Sequence, residues 1–156
     1  MRNIMFIPLN EYKDIITKIP ILCVDIILRH KNKVLLIKRA DPPCKGIYWP
    51  IGGRVHKGET VDAAARRKIL EEIGIEFKGT LIPIGFYEDN YTESAFEAKT
   101  EYSSFSLVFV GDLNREAKSK VKLDTTSDDF GYFDTLPNRF VVKRFSDFED
   151  VLQDWK

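Results

Sequence analysis

Between Gly52-Gly53 and Gly74 the chain carries one helix whose start, faces and end are all written in its residues. The Thr60 hydroxyl suits an N-cap, where it accepts from an otherwise orphaned backbone N–H, and Asp62 suits the positive end of the helix dipole. The pattern runs to about Ile73, and Gly74 can take the left-handed conformation that stops a helix. Ala65, Ile69 and Ile73 form an apolar stripe that must be buried against a sheet, while Lys68, Glu71 and Glu72 share an arc of about 100° beside it. Taken alone, two such glutamates are ordinary solvated surface, and Lys68 with Glu72 is an i, i+4 pair worth a few tenths of a kcal/mol. The glycine-rich loop in front changes that weighing. A loop that exposes backbone carbonyls, followed by adjacent carboxylates one turn beyond Arg67, can hold a hard divalent cation against a diphosphate, with arginines on the phosphate oxygens.

The surrounding pattern supplies a sheet for this helix. Asn10 is a candidate cap for a short helix over Glu11 to Lys18, in which Tyr12, Ile15, Ile16 and Ile19 recur at helical spacing and which Pro20 ends. Ile21 to Leu28 is an apolar, β-branched run interrupted by Asp25, an ionised group that is costly in such a strand unless it has partners. Lys31-Asn32-Lys33 reads as a turn, with Val34 to Arg39 returning as the hairpin partner. Asp41 to Gly46 is a loop because two successive prolines suit neither a helix nor an inner strand. Ile47 to Ile51 is short and extended. Further strands are expected near Leu81 to Tyr87, Ser103 to Val110 and Phe130 to Phe133, with an amphipathic helix over Ser146 to Trp155. Strands alternating with two or three helices predict an α/β sandwich around a mixed sheet.

Composition narrows the partners. The 156 residues are 44% hydrophobic, enough for one real core. Twenty-four basic residues balance 24 acidic ones without long blocks of either sign, which argues against a nucleic-acid or anionic-membrane surface. Cys23 and Cys44 form no Cys-x-x-Cys pair, and Cys23, within an apolar run, is expected as a small core residue. Nothing in Met1 to Asn10 reads as a signal peptide, and no run reaches the roughly 18 apolar residues that span a bilayer. A soluble cytoplasmic protein is the expectation.

From Gly53 to Ile75 the order of residues resembles the signature of the Nudix hydrolases: Gly, five residues, Glu, seven residues, Arg-Glu, an aliphatic, any residue, Glu-Glu, any residue, Gly and an aliphatic. Gly53, Glu59, Arg67, Ile69, Glu71, Glu72, Gly74 and Ile75 match, and Lys68 alone departs. The resemblance implies a single Nudix domain over residues 1–156, an α/β/α sandwich around a mixed β-sheet. It sets residues 53–75 as loop–helix–loop and a helical extension at about 10–19. The run Lys38 to Val55, the N-terminal helix followed by a strand containing Asp25, and Phe86 to Tyr91 are similar to one branch, the GDP-mannose mannosyl hydrolases. Members of that branch also depart at the position of Lys68, and they release mannose by attack at the sugar C1 with GDP leaving. Residue by residue, the match implies Mg²⁺ on the Gly53 carbonyl and Glu72, with Glu71 beside it, and Arg39, Arg54 and Arg67 near the diphosphate. It sets Asp25 against the nucleotide or sugar and makes Tyr102 a phosphate contact. It also implies a homodimer, for which Phe6, Ile7 and Leu9 offer apolar material that core packing explains equally.

These roles agree with elementary chemistry. A departing nucleoside diphosphate develops negative charge, which a divalent cation and forked guanidinium groups stabilise most in the transition state. Arg67 can alternatively pair with Glu71, or brace the loop from behind. Lys68 can act neither as base nor as metal ligand, so one tightly bound Mg²⁺ is expected unless Glu97, Glu101 or Asp128 compensates. The Gln-His pair of the mannosyl hydrolases aligns with Thr126 and Ser127, neither a competent base near neutral pH. His30 reads as a turn residue and His56 as part of the loop before the helix, where it can reach a phosphate or face water. The base is then Asp128, Glu101 or another carboxylate, or it is absent. Three readings follow: a Mg²⁺-dependent hydrolase of a nucleoside diphosphate sugar, a pyrophosphatase on another nucleoside diphosphate derivative or triphosphate, and a catalytically weak nucleotide-binding domain.

Overall fold

The computed structural model describes residues 7–92, 94 and 100–135. The apolar run after Pro20 becomes the organising strand, β1 (Ile21–His30), which turns through Lys31, at φ 54°, into β2 (Lys33–Arg39). Two short strands, β3 (Tyr48–Trp49) and β4 (Ile51–Arg54), precede helix α2 (Val61–Ile73). The long strands β5 (Ile82–Tyr91) and β6 (Tyr102–Asp112) follow, then a short helix, α3 (Arg115–Lys118), and β7 (Ser127–Phe133). Among the described residues, all seven strands belong to one mixed sheet in the order β3-β2-β1-β6-β5, with β4 also on β1 and β7 on β2. One edge of β1 runs parallel to β6 from Ile21↔Ser104 to Arg29↔Asp112. Its other edge changes partner at Ile27: Cys23 to Ile26 pair with β4, and Leu28 to His30 pair with β2.

Alternation along β1 decides what covers each face. Val24, Ile26 and Leu28 join Leu35, Ile37, Ile51 and Phe109 against Ala64, Ala65, Ile69 and Ile73 of α2. The helix is capped as its sequence predicts: Thr60 Oγ1 accepts from the Ala63 N–H at 3.1 Å, and Gly74 closes it at φ 70°. On the opposite face Ile27, Val34, Leu36, Val108 and Val110 form a smaller cluster. Next to it helix α1 (Leu9–Ile16) packs Tyr12 and Ile16 on Ile21, with Ile7, Ile15, Cys23 and Tyr102 around them. Helices on both faces of a mixed sheet make this the α/β/α sandwich. Because Ile69 is fully buried, Ile69→Val is expected to cost about 0.5–1.5 kcal/mol, read as a lower urea midpoint at unchanged slope.

Several local expectations need correction. Helix α1 starts two residues earlier than predicted, and its N-cap is Pro8 without a side-chain bond, so Asn10 lies inside the first turn. The proline supplies an extended backbone, and its carbonyl receives the Tyr12 N–H at 2.9 Å. His30 ends β1, with Nδ1 3.0 Å from the Leu113 carbonyl. Cys23 is half-buried on a cleft wall, not in the core, because it points to the α1 face where small residues leave space. β1, β5, β6 and β7 all extend beyond their predicted ends, since ladder partners hold residues whose propensity alone is weak. Phe6, Glu97 and the expected helix at Ser146 to Trp155 lie outside the described residues. No helix among the described residues is long and apolar enough to cross a membrane.

Candidate functional site

On the α1 face, the large side chains of β1 and β6 give way to small ones. Past Ile27, Val108 and Val110 come Asp25, Cys23, Ser106 and Ser104, and the vacated volume is a cavity of about 170 Å³. Its walls are aromatic (Tyr12, Trp49, Tyr91 and Tyr102), and its charged lining is Asp25, Glu72, Arg39 and Arg54. The glycines of β4 make the floor. Gly52 pairs with Asp25, and a Cβ there would stand 2.3 Å from Asp25 Oδ1 and 2.5 Å from the Val24 carbonyl. The missing side chain lets the buried Asp25 carboxylate and the end of Glu72 open onto one space.

The two cleft arginines are held by different means. Arg54 lies over the Tyr12 ring, 4.0 Å from its centroid, so α1 orients it by a cation–π contact. Arg39 donates Nε–H to the Pro43 carbonyl at 2.7 Å, anchored by the loop that follows β2. Tyr102 stacks on Tyr91 with centroids 4.9 Å apart, and burial raises both phenols above their ordinary range.

Arg67 does not line this cleft. It donates to both Glu59 oxygens at 2.8 and 2.9 Å, to Glu71 at 3.1 and 3.2 Å, and to the Arg54 carbonyl at 2.8 Å. Glu59 in turn accepts from the His56 N–H at 3.0 Å, so one guanidinium ties the loop before α2 to the end of β4. Of the alternatives open in the sequence, this geometry is bracing from behind together with the Glu71 pair. The His56 imidazole is pushed down by burial and by the nearby Arg67 charge.

Lys68 turns inward. Its Nζ is 2.7 Å from Glu72 Oε1 and 3.2 Å from Glu71 Oε2, and its stem lies against Gly53, whose hypothetical Cβ would come within 2.8 Å of Lys68 Cε. Burial pushes the Glu72 carboxyl up to about 7, against the opposing pull of Lys68. Asp124 also raises it, and the Gly52 N–H bonded to the carboxylate lowers it. Glu71 is exposed and paired with Arg67 and Lys68.

That arrangement tests the fit of a divalent cation. The one buried carboxylate of the expected pair already binds an ammonium and a backbone N–H, and the other is turned to two cations. Among the described residues no three His, Cys, Asp or Glu side chains are grouped to hold a metal ion. As arranged, Gly53, Glu71 and Glu72 do not fit a divalent ion.

The late loop also departs from expectation. Asp128 is exposed on β7, outside the cleft, because alternation there turns Ser127 inward. Glu101 is exposed and lines a neighbouring groove with Ile16 and Asn90. Thr126 donates its hydroxyl to Asp124 at 2.8 Å, and the Asp124 N–H reaches the Glu72 carbonyl at 3.2 Å. Asp124, Tyr12, Trp49, Tyr91, Ser104 and Ser106 were not singled out from sequence. The serines had a signal: in Ser104-Phe105-Ser106-Leu107 small polar residues take one face and apolar ones the other, which marks a strand lining a cavity.

Residues 20–136 match the family model for the NUDIX domain. The chain is 37% identical over 70 residues to the low-salt glycan biosynthesis protein Agl8 of Haloferax volcanii, covering 45% of each. It is 48% identical over 56 residues to an ADP-ribose pyrophosphatase of Methanocaldococcus jannaschii, covering 36% of this chain and 33% of that one. The matched regions thus span less than half the length of either relative. In fold it is similar to the NUDIX domain of Shewanella oneidensis NrtR, solved with ADP ribose, at a TM-score of 0.63 and 17% identity over 89% of this chain and 90% of that one.

Proposed function

This chain belongs to the NUDIX domain family, and on that premise we propose that it hydrolyses a nucleoside diphosphate derivative, specifically a nucleotide sugar of the GDP-mannose type. The observation that carries the reading is the cleft itself: two guanidinium groups, Arg39 and Arg54, facing two carboxylates, Asp25 and Glu72, between aromatic walls. In this reading the arginines hold the diphosphate and stabilise the charge it gains on leaving. The tyrosines and Trp49 offer flat apolar surface to base or sugar, and Asp25 bonds a hydroxyl or ring N–H. Either water forms a bond to the sugar C1 and the C1–O bond to phosphate breaks, or water attacks phosphorus and the P–O–P bridge breaks. Asp25 is the cleft carboxylate offered to such a water, taking over from Asp128 and Glu101 as the candidate for the base. Arg67 acts as a positioning residue through the Arg54 carbonyl. The Mg²⁺ expected on Gly53 and Glu72 has no open carboxylate there while Lys68 holds Glu72, so no step is assigned to it.

A second reading, a pyrophosphatase on ADP-ribose, is favoured by the Methanocaldococcus relative. Incubation of GDP-mannose and ADP-ribose in ¹⁸O-water, with Mg²⁺ and with EDTA, separates the two. Label in free sugar means attack at C1, and label in a phosphate means attack at phosphorus. Binding without turnover of either compound would overturn the hydrolase reading. Arg39→Ala and Arg54→Ala are each expected to weaken nucleotide affinity about tenfold in calorimetry, the loss of one charge-assisted contact. Homodimerisation and a cytoplasmic location belong to the same proposal; sedimentation of the purified chain checks the first.

A further inference from the structure

The metal position expected from the family signature has two poles, the Gly53 backbone and the Glu72 carboxylate, and one side chain fills the interval between them. Lys68 is a single helical turn before Glu72, and its ammonium reaches Glu72 Oε1 at 2.7 Å and Glu71 Oε2 at 3.2 Å. Its stem passes over the open face of Gly53, where a Cβ would meet Cε at 2.8 Å and Cδ at 3.2 Å. Gly53 itself sits at φ 155°, a conformation that favours glycine. Both partners are enclosed, the Lys68 side chain being 17% exposed and that of Glu72 7%. This is not the loose surface pair that i, i+4 spacing suggests. For a divalent ion to settle on Glu72, the ammonium would have to leave its buried partner and remain beside a doubly charged neighbour, losing one attraction and gaining a repulsion.

We infer that Lys68 is the resident cation of this site: its ammonium, seated between Gly53 and Glu72, locks the carboxylate that a divalent ion would need, so that the cleft holds a diphosphate through Arg39 and Arg54 without a metal. The second half rests on the nucleotide reading proposed above; the lock on Glu72 does not. The inference also accounts for the one departure from the family signature, because a lysine there supplies positive charge to the place from which it excludes the metal.

The test begins with Mn²⁺ alone, followed by electron paramagnetic resonance on the wild type, Lys68→Gln, Lys68→Glu and Glu72→Gln, with thermal melts to verify folding. Lys68→Gln and Lys68→Glu are expected to bind Mn²⁺ at least about tenfold more tightly than the wild type. Wild type and Glu72→Gln should be indistinguishable. Wild-type binding as tight as that of Lys68→Gln, and abolished in Glu72→Gln, would overturn the lock; this comparison stands on the wild type and Glu72→Gln even if the Lys68 variants do not fold. A calorimetric titration with ADP-ribose and with GDP-mannose, in Mg²⁺ and in EDTA, reads the second half. Wild-type affinity is expected to agree within about twofold between the two conditions, whereas Lys68→Glu should require Mg²⁺. Strict Mg²⁺ dependence of wild-type binding overturns the inference. If no form binds either nucleotide in any condition, the nucleotide reading and the metal-free diphosphate claim fail together, and the Mn²⁺ comparison judges the lock by itself.

Discussion

Arg67→Ala is expected to lower stability by about 3 kcal/mol, because it strands a half-enclosed carboxylate and releases a loop at the same time. The guanidinium side chain is 16% exposed and its main partner, Glu59, 15% exposed, so neither charge is well screened. Five donated bonds end on Glu59, Glu71 and the Arg54 carbonyl, and water cannot replace them in the same geometry. Arg67→Lys keeps the charge but loses the fork, and should recover less than half of the loss. The pH dependence gives an independent check. The Arg67 hydrogen bonds hold Glu59 below the ordinary carboxylate range, more than offsetting the opposite effect of burial. A carboxyl whose folded pKa is depressed contributes stability that is present above its unfolded value and lost as pH falls through the folded one. Wild type should therefore lose this contribution only below about pH 4.5, whereas Arg67→Ala should lack it at pH 7 and show a flatter acid limb in urea titrations. Equal acid limbs in the two proteins would contradict the account.

That network also explains how far the sequence could be read. Helix α2 was legible to the residue because everything that defines it is local: the Thr60 cap, the Gly74 stop and an apolar stripe of period 3.6. The hairpin of β1 and β2 was legible for the same reason. What local pattern could not supply is direction across space. Lys68, Glu71 and Glu72 share an arc on any helical projection, yet Glu72 is buried and Glu71 exposed, since the sheet covers only one side of that arc. The i, i+4 rule assigns Lys68 and Glu72 a few tenths of a kcal/mol, and nothing in the spacing says that the pair will be enclosed. Family resemblance pointed to Asp25, Arg39, Arg54, Gly53, Glu72 and Tyr102, all of which line one cavity. It pointed also to Arg67, Glu71 and Asp128, which lie outside it. Of the walls that came unannounced, Ser104 and Ser106 are brought in by the parallel pairing of β1 with β6, a contact between segments some eighty residues apart in sequence, and Tyr12 is brought in by the packing of α1 on Ile21.

Gly52→Ala should be the most damaging single methyl group in the cleft. β4 runs against the lower half of β1, and Gly52 faces Asp25 directly in the register. An added Cβ would stand 2.3 Å from Asp25 Oδ1, 2.5 Å from the Val24 carbonyl oxygen and 3.3 Å from Asp25 Cα. Two of those atoms are backbone of the innermost strand, and the third belongs to a carboxylate that is 4% exposed, so none can yield as the end of a flexible side chain would. Relief has to come from β4 moving off β1, which breaks the Asp25↔Gly52 pairing and shifts Gly53, Arg54 and the Gly52 N–H that bonds Glu72. Overpacking of this kind costs about 1–3 kcal/mol, which the domain can absorb and still fold. Binding is less tolerant, because Arg54 and the two carboxylates lose their mutual placement together. Affinity for GDP-mannose or ADP-ribose in calorimetry is expected to fall about a hundredfold, twice the free energy of losing one arginine contact. Gly79→Ala is the matched control. A Cβ there would meet the Phe77 ring at 2.7 Å, an ordinary steric insult well away from the cleft lining. It should lower the melting temperature without weakening nucleotide binding. If Gly52→Ala binds as tightly as wild type, the approach of β4 to Asp25 does not build the site.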